Sequence, residues 1–155
     1  KNFINSGMGL NCSIKLVNSA LLLKSSDESL ATLDALSLDL FTGEARFMKA
    51  GSPLTFIVKK DRVIKLSFES LPIGILSNVS FSSETVILEE GDWVLMLSDG
   101  ATDIGEDWIV EMLESKNYNS ARELSKQIVD KAVNIRKESH DDDITAVSVH
   151  ILKNI

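Results

Sequence analysis

Asp99 follows the apolar run Trp93-Val94-Leu95-Met96-Leu97 and Ser98, and Gly100 comes directly after it, so it stands where a buried strand opens into a loop. Ligands and catalytic groups favour such strand ends. A second acidic knot, Asp141-Asp142-Asp143, occupies the mirror-image position just before the last apolar segment. If those two strands are neighbours, the acids converge. Two carboxylates about 4 Å apart at an effective dielectric near 20 repel by roughly 4 kcal/mol, so they need a proton or a cation between them. Oxygen donors without cysteine or histidine select Mg2+ or Mn2+ over zinc or copper.

Other residues of the same types have plainer roles. The stretch 84–107 holds eight acids and no Lys or Arg, but Glu84, Glu89, Glu90, Glu106 and Asp107 read as a solvated face. Asp103 is placed to cap a following helix. His140 reads as a surface loop residue and His150, inside the last strand, as a packing or hydrogen-bonded one. Trp93 and Trp108 read as core aromatics. The one cysteine, Cys12, allows no internal disulfide and no zinc cluster; its apolar helical context predicts a small buried hydrophobe.

The elements that must position the acids follow from periodicity. Ile14, Val17 and Leu21, with Leu16, Ala20 and Leu23 beside them, predict an amphipathic helix over 11–23. The period changes to two over 33–41, and Thr42-Gly43 turns the chain into a partner strand at 45–50. Strands at 54–58 and 62–68 form a second hairpin across Lys59-Lys60-Asp61. The stretch 70–83 reads as a long connection. Strands return at 84–89 and 93–98, joined by Glu90-Gly91-Asp92, and the second is apolar on both parities, hence central and covered on both faces. Helices are expected over 106–115 and 120–136, the latter opened by the capping box Ser120 and Glu123, and a final strand over 144–152. The class is α+β, with helices packed on antiparallel sheets.

Composition narrows the field. With 155 residues, 44% of them hydrophobic, the chain makes one domain, 1–155, around one core. Its 16 Lys+Arg against 23 Asp+Glu leave a charge of −7, and the small cluster Lys59, Lys60 and Arg62 reads as a hairpin turn. Nucleic acid is therefore not an expected partner. The apolar runs at 20–23 and 93–97 fall far short of the roughly 20 residues a bilayer helix needs, so a soluble cytoplasmic segment without membrane contact is expected.

Leu97-Ser98-Asp99-Gly100, followed downstream by Asp142-Asp143-Ile144-Thr145, resembles the metal-dependent protein serine/threonine phosphatases of the PPM (PP2C-like) family. Those enzymes carry S-D-G at the end of one core strand and D-[ND]-[MI]-[TS] before the last. Ala50-Gly51-Ser52-Pro53 resembles the A-G-H-P element of the bacterial regulatory members, and Leu71-Pro72-Ile73-Gly74 their L-P-[IL]-G turn. Val17-Asn18-Ser19, Leu23-Lys24-Ser25, Asp27-Glu28, Thr32-Leu33-Asp34 and Phe47-Met48-Lys49 are most similar to the phosphatase domains of the stage II sporulation E branch.

The resemblance implies a PP2C-like sandwich of two antiparallel β-sheets flanked by helices. It also implies a binuclear Mn2+ or Mg2+ centre whose bridging water attacks a phosphoserine directly. Carried onto this sequence, Asp99 and Asp142 are metal ligands, Asp143 supports them from behind, and Gly100 and Gly51 permit close backbone approach. The family's first metal motif, D-G-x-G, belongs upstream of the 11–23 helix. Ser6-Gly7-Met8-Gly9 imitates it without the carboxylate and reads as a helix-capping turn. The expectation is a domain lacking its first strands and one bridging Asp, binding Mn2+ weakly with little turnover alone.

The sporulation branch further implies a phosphorylated anti-anti-sigma factor as substrate, a cell-division protein as partner, and a parent chain anchored in the membrane at the division septum. The 11–23 helix and the 71–78 loop are the implied switch or interface elements, a homodimer contact included. The alternative reading is a non-catalytic regulatory or dimerisation module of the same fold. A haloacid-dehalogenase-like phosphotransferase would need a second Asp two residues after Asp99, and position 101 is Ala.

Overall fold

The computed structural model describes residues 9–24, 30–51, 54–68, 70–77, 81–136 and 142–153. Ser6-Gly7-Met8, Asp27-Glu28, Ser52-Pro53, His140 and Asp141 lie outside the described residues. In chain order the elements are α1 (Leu10–Lys24), β1 (Leu33–Leu38), β2 (Glu44–Ala50), β3 (Thr55–Val58), β4 (Val63–Leu66), β5 (Ser82–Ile87), β6 (Trp93–Leu97), α2 (Asp99–Thr102), α3 (Asp107–Ser115), α4 (Ala121–Arg136) and β7 (Ala146–His150). They form two antiparallel sheets with helices, an α+β architecture. One sheet has the order β1-β2-β5 and the other β4-β3-β6-β7. The chain divides into two compact units, one with α1 and the first sheet, the other with α2 to α4 and the second.

In the first unit the alternation over β1 and β2 forms the expected hairpin, in register from Leu33 opposite Ala50 to Leu38 opposite Ala45. Its turn is closed by Asp39, whose carboxylate accepts the N–H groups of Phe41 and Thr42 at 2.8 and 3.0 Å. Helix α1 buries Ser13, Ile14 and Asn18. Asn18 is satisfied on both sides of its amide: Nδ2 donates to the Leu76 carbonyl at 2.9 Å, and the Gly74 N–H donates to Oδ1 at 2.8 Å. The expectation for Cys12 is overturned, because the buried face runs through Ser13, Ile14 and Asn18 and leaves Cys12 exposed.

Lys49 is fully buried in β2, and its Nζ sits 2.5 Å from Oδ2 of Asp34, its direct cross-strand partner. Burial pushes the Lys49 ammonium below the ordinary lysine value of 10.5, and Asp34 pulls it part of the way back. A depressed lysine pKa means that the unfolded chain binds more protons than the folded one just below 10.5, so stability rises with pH through that window. The urea midpoint should therefore climb as the pH is raised toward 10, and Lys49→Met should flatten the climb. The window closes near 10.0, because burial raises the Tyr118 phenol and its contribution is lost above that value.

In the second unit, alternation along β3 and β6 sends Phe56, Val58, Leu95 and Leu97 into a core shared with Ile109, Leu113, Leu124 and Ile128. Ile57 and Val94, of opposite parity, are fully buried as well, so β6 is covered on both faces as its composition predicts. Helix α4 buries a residue at every fourth position: Leu124, Ile128, Ala132 and Arg136. The Ser120 half of its capping box forms, the Glu123 N–H donating to Ser120 Oγ at 3.2 Å, while Glu123 Oε2 accepts the N–H of Asn119, one residue before the cap, at 2.9 Å. His150 packs as expected, stacked on Trp93 with ring centroids 3.6 Å apart.

Several boundaries differ from the sequence expectation: β1 ends at Leu38, and β4 and β7 are shorter than expected at Val63–Leu66 and Ala146–His150. β5 begins at Ser82, so the end of the 70–83 connection is already strand; it pairs with β2, whereas β6 pairs with β3 and β7. The four residues of α2 are too few to show a helical period. Asp103 is the C-cap of α2, and Glu106 stands at the N-cap of α3.

Candidate metal centre

Strand β6 delivers Asp99 and strand β7 receives the chain from Asp142-Asp143, and the two strands are antiparallel neighbours, with Leu97 opposite Ala146. The condition for convergence is met at the level of the backbone. Beyond the last strand pair the ladder continues, the Ser98 N–H donating to the Thr145 carbonyl at 3.0 Å. The Ser98 side chain then ties the motifs together: its Oγ accepts the Thr145 N–H at 2.8 Å and donates to the Asp143 carbonyl at 3.1 Å. The serine of S-D-G and the threonine of D-D-I-T thus meet in one hydroxyl clasp.

Gly100 shows how tight the junction is. A Cβ built on it would lie 2.4 Å from the Asp143 carbonyl oxygen and 3.0 Å from the carbonyl carbon. Glycine is required there by the close approach of two backbones. Asp99 and Asp142 are both exposed, and each carboxylate orients on its own loop, Asp99 Oδ1 accepting the Gly100 N–H at 3.0 Å and Asp142 Oδ1 the Asp143 N–H at 2.9 Å. Asp143 is exposed too, and it contributes its carbonyl to the Ser98 clasp. Gly51 belongs to the first unit: it holds φ of +57° and a Cβ there would meet Pro72 at 2.6 to 2.8 Å, so the packing that demands glycine is local.

Sequence reasoning missed Arg136. It is the last residue of α4, buried to 9% exposure, and its Nη1 donates to the Asp142 carbonyl. The signal was present, because Arg136 continues the four-residue line of Leu124, Ile128 and Ala132.

The donor chemistry fits a hard divalent ion. Among the described residues no group of three or more His, Cys, Asp or Glu side chains could hold a metal. Mg2+ is nonetheless commonly held by one or two carboxylates, with water and substrate phosphate completing the shell. Asp99 and Asp142 are exposed carboxylates, the donor type that such an ion takes.

Comparison with known proteins defines the class. Over 99% of its length the chain is similar to the Mn-presoaked structure of the phosphatase domain of the cell fate determinant SpoIIE from Bacillus subtilis, with 29% identity and a TM-score of 0.71, covering 70% of that chain. A structure of the same PP2C phosphatase domain with a fragment of its regulatory domain matches with a TM-score of 0.87 at 30% identity, covering 99% of this chain and 48% of that one. The serine/threonine phosphatase PstP/Ppp of Mycobacterium tuberculosis, at 15% identity and a TM-score of 0.78, shows the same fold. The chain is thus a PP2C-like domain.

The family model for stage II sporulation protein E (SpoIIE) matches residues 1–152, and the chain belongs to that family. It is 29% identical to the stage II sporulation protein E of Bacillus subtilis and 28% to that of Priestia megaterium, each over 99% of this chain. It spans 19% and 27% of the lengths of those relatives. Among the described residues no helix is long and apolar enough to cross a membrane.

Proposed function

We propose that this chain serves a metal-dependent protein serine/threonine phosphatase, with Asp99 and Asp142 as carboxylate ligands of Mn2+ or Mg2+. The observation that carries the reading is the Ser98 clasp, which fastens the two acidic motifs to the same end of one strand pair. A bound divalent ion supplies an activated water and offsets phosphate charge. The chain's own residues supply position: Ser98 fixes the Asp143 carbonyl, Gly100 lets the loops touch, and the Asp143 N–H donates to Asp142 Oδ1.

On the resemblance of its motifs to the stage II sporulation E branch alone, the reading extends to a phosphorylated anti-anti-sigma factor as the substrate, a cell-division protein as a partner, and a parent protein anchored at the septal membrane. The resemblance, whose first metal motif Ser6-Gly7-Met8-Gly9 imitates without the carboxylate, extends the reading to weak Mn2+ binding and little turnover by the chain alone. The activity is therefore measured in the natural protein that contains it. Release of phosphate from a phosphoserine protein should require added Mn2+ and fall to background with Asp142→Asn. Metal-independent release, or full activity in that variant, would remove the reading, and a protein that binds no Mn2+ would favour the regulatory module instead.

A further inference from the structure

We infer that Arg136 is a positioning residue for this centre, holding the backbone of Asp142 so that its carboxylate stands beside the Asp99 loop; the inference rests on the metal reading above. Three observations converge on it. The guanidinium is buried at the end of α4, where a helix C-terminus favours a cation. Nη1 donates to the Asp142 carbonyl. Nη2 lies 3.3 Å from the point a Cβ on Gly100 would occupy, so the same side chain lies against the other motif as well.

A buried guanidinium is costly unless its donors are used, and few side chains could replace its planar fork. The position of Arg136 is itself fixed, because α4 packs on β7 and Arg136 continues the buried line of Leu124, Ile128 and Ala132. The Asp142 loop is therefore held from two directions: Ser98 ties its downstream end to β6, and Arg136 ties Asp142 to the helix. Residues that orient metal ligands from behind typically change affinity by about 10-fold to 100-fold when lost.

The charge of Arg136 works in the opposite sense. A cation beside two acids repels an incoming divalent ion, so a side chain that acted only through its charge would weaken binding, and its removal would tighten it. The two roles predict opposite signs. Arg136→Met keeps an unbranched buried side chain without charge or donors. Mn2+ affinity is read from the loss of the free-ion electron paramagnetic resonance signal, and loop order from amide hydrogen exchange in the absence of metal.

Arg136→Met should bind Mn2+ about 10-fold more weakly than the unaltered chain and exchange faster at the Asp143 and Thr145 amides. Arg136→Lys keeps the charge and one point donor and should fall between the two; it decides the matter if the Met variant does not fold. Binding that is unchanged or tighter in either folded variant, with unchanged exchange, would overturn the inference alone. If the unaltered chain binds no Mn2+, or Asp142→Asn binds it equally well, the metal reading falls and this inference with it.

Discussion

Asp99→Asn should abolish measurable Mn2+ binding while leaving the fold intact. Asparagine is nearly the same shape, and its amide oxygen can still accept the Gly100 N–H that Asp99 Oδ1 accepts at 3.0 Å. What is lost is one formal charge of a donor pair already small for a divalent ion. Loss of a direct ligand exceeds the effect of a residue behind one, so the dissociation constant should rise by roughly 100-fold or more. A second readout is thermal. An ion that binds only the folded chain stabilises it by about 2.7 kcal/mol at 100 times its dissociation constant, and that Mn2+-dependent rise in melting temperature should vanish in the variant. Without metal the variant should melt no lower than the parent, because the substitution removes a negative charge from an acidic junction. A variant that keeps the Mn2+-dependent shift would show that Asp99 is no ligand.

Gly100→Ala is the second large effect, and two principles disagree about its sign. Gly100 lies in α2, where alanine is favoured over glycine by about 1 kcal/mol on propensity alone. Against that, the new Cβ would sit 2.4 Å from the Asp143 carbonyl oxygen, and the obstacle is backbone, which cannot swing aside. Overpacking of this kind costs about 3 kcal/mol at the upper end of its usual range, so the clash wins by about 2 kcal/mol. Denaturant unfolding should show that loss, with Mn2+ binding weakened in parallel because Asp143 and Asp142 move together. A variant as stable as its parent would mean that the two loops are not in contact.

The strands and helices were legible because their residues alternate or recur cleanly, as in the Leu33–Leu38 strand and the Leu124, Ile128, Ala132 face. The acidic motifs were legible as well, since an acid at the end of an apolar strand is anomalous. The distribution of strands between sheets was not: three residues separate the expected strands around Glu90-Gly91-Asp92, and nothing in their composition tells that β5 pairs with β2 while β6 pairs with β3. The burial of two long cations was not legible from residue type. Lys49 and Arg136 are both buried, one opposite Asp34 and the other against the Asp142 carbonyl, although composition assigns such residues to the surface. Cys12 failed in the opposite direction, an apolar residue type on the outward face of α1.

The pairing of β6 with β7 makes the junction digital. Sliding one strand past the other by a single residue moves the Asp142 loop by about 3.3 Å and turns every side chain to the opposite face. Intermediate placements do not exist on that ladder. Insertions or deletions in the stretch between α2 and α4 would consequently be absorbed by loops, whereas one added residue between Val94 and Asp99, or between Asp142 and Val149, would separate the acids outright. Diversification along this lineage should therefore be concentrated in the helical segment that the two motifs enclose, with the spacing inside each motif frozen.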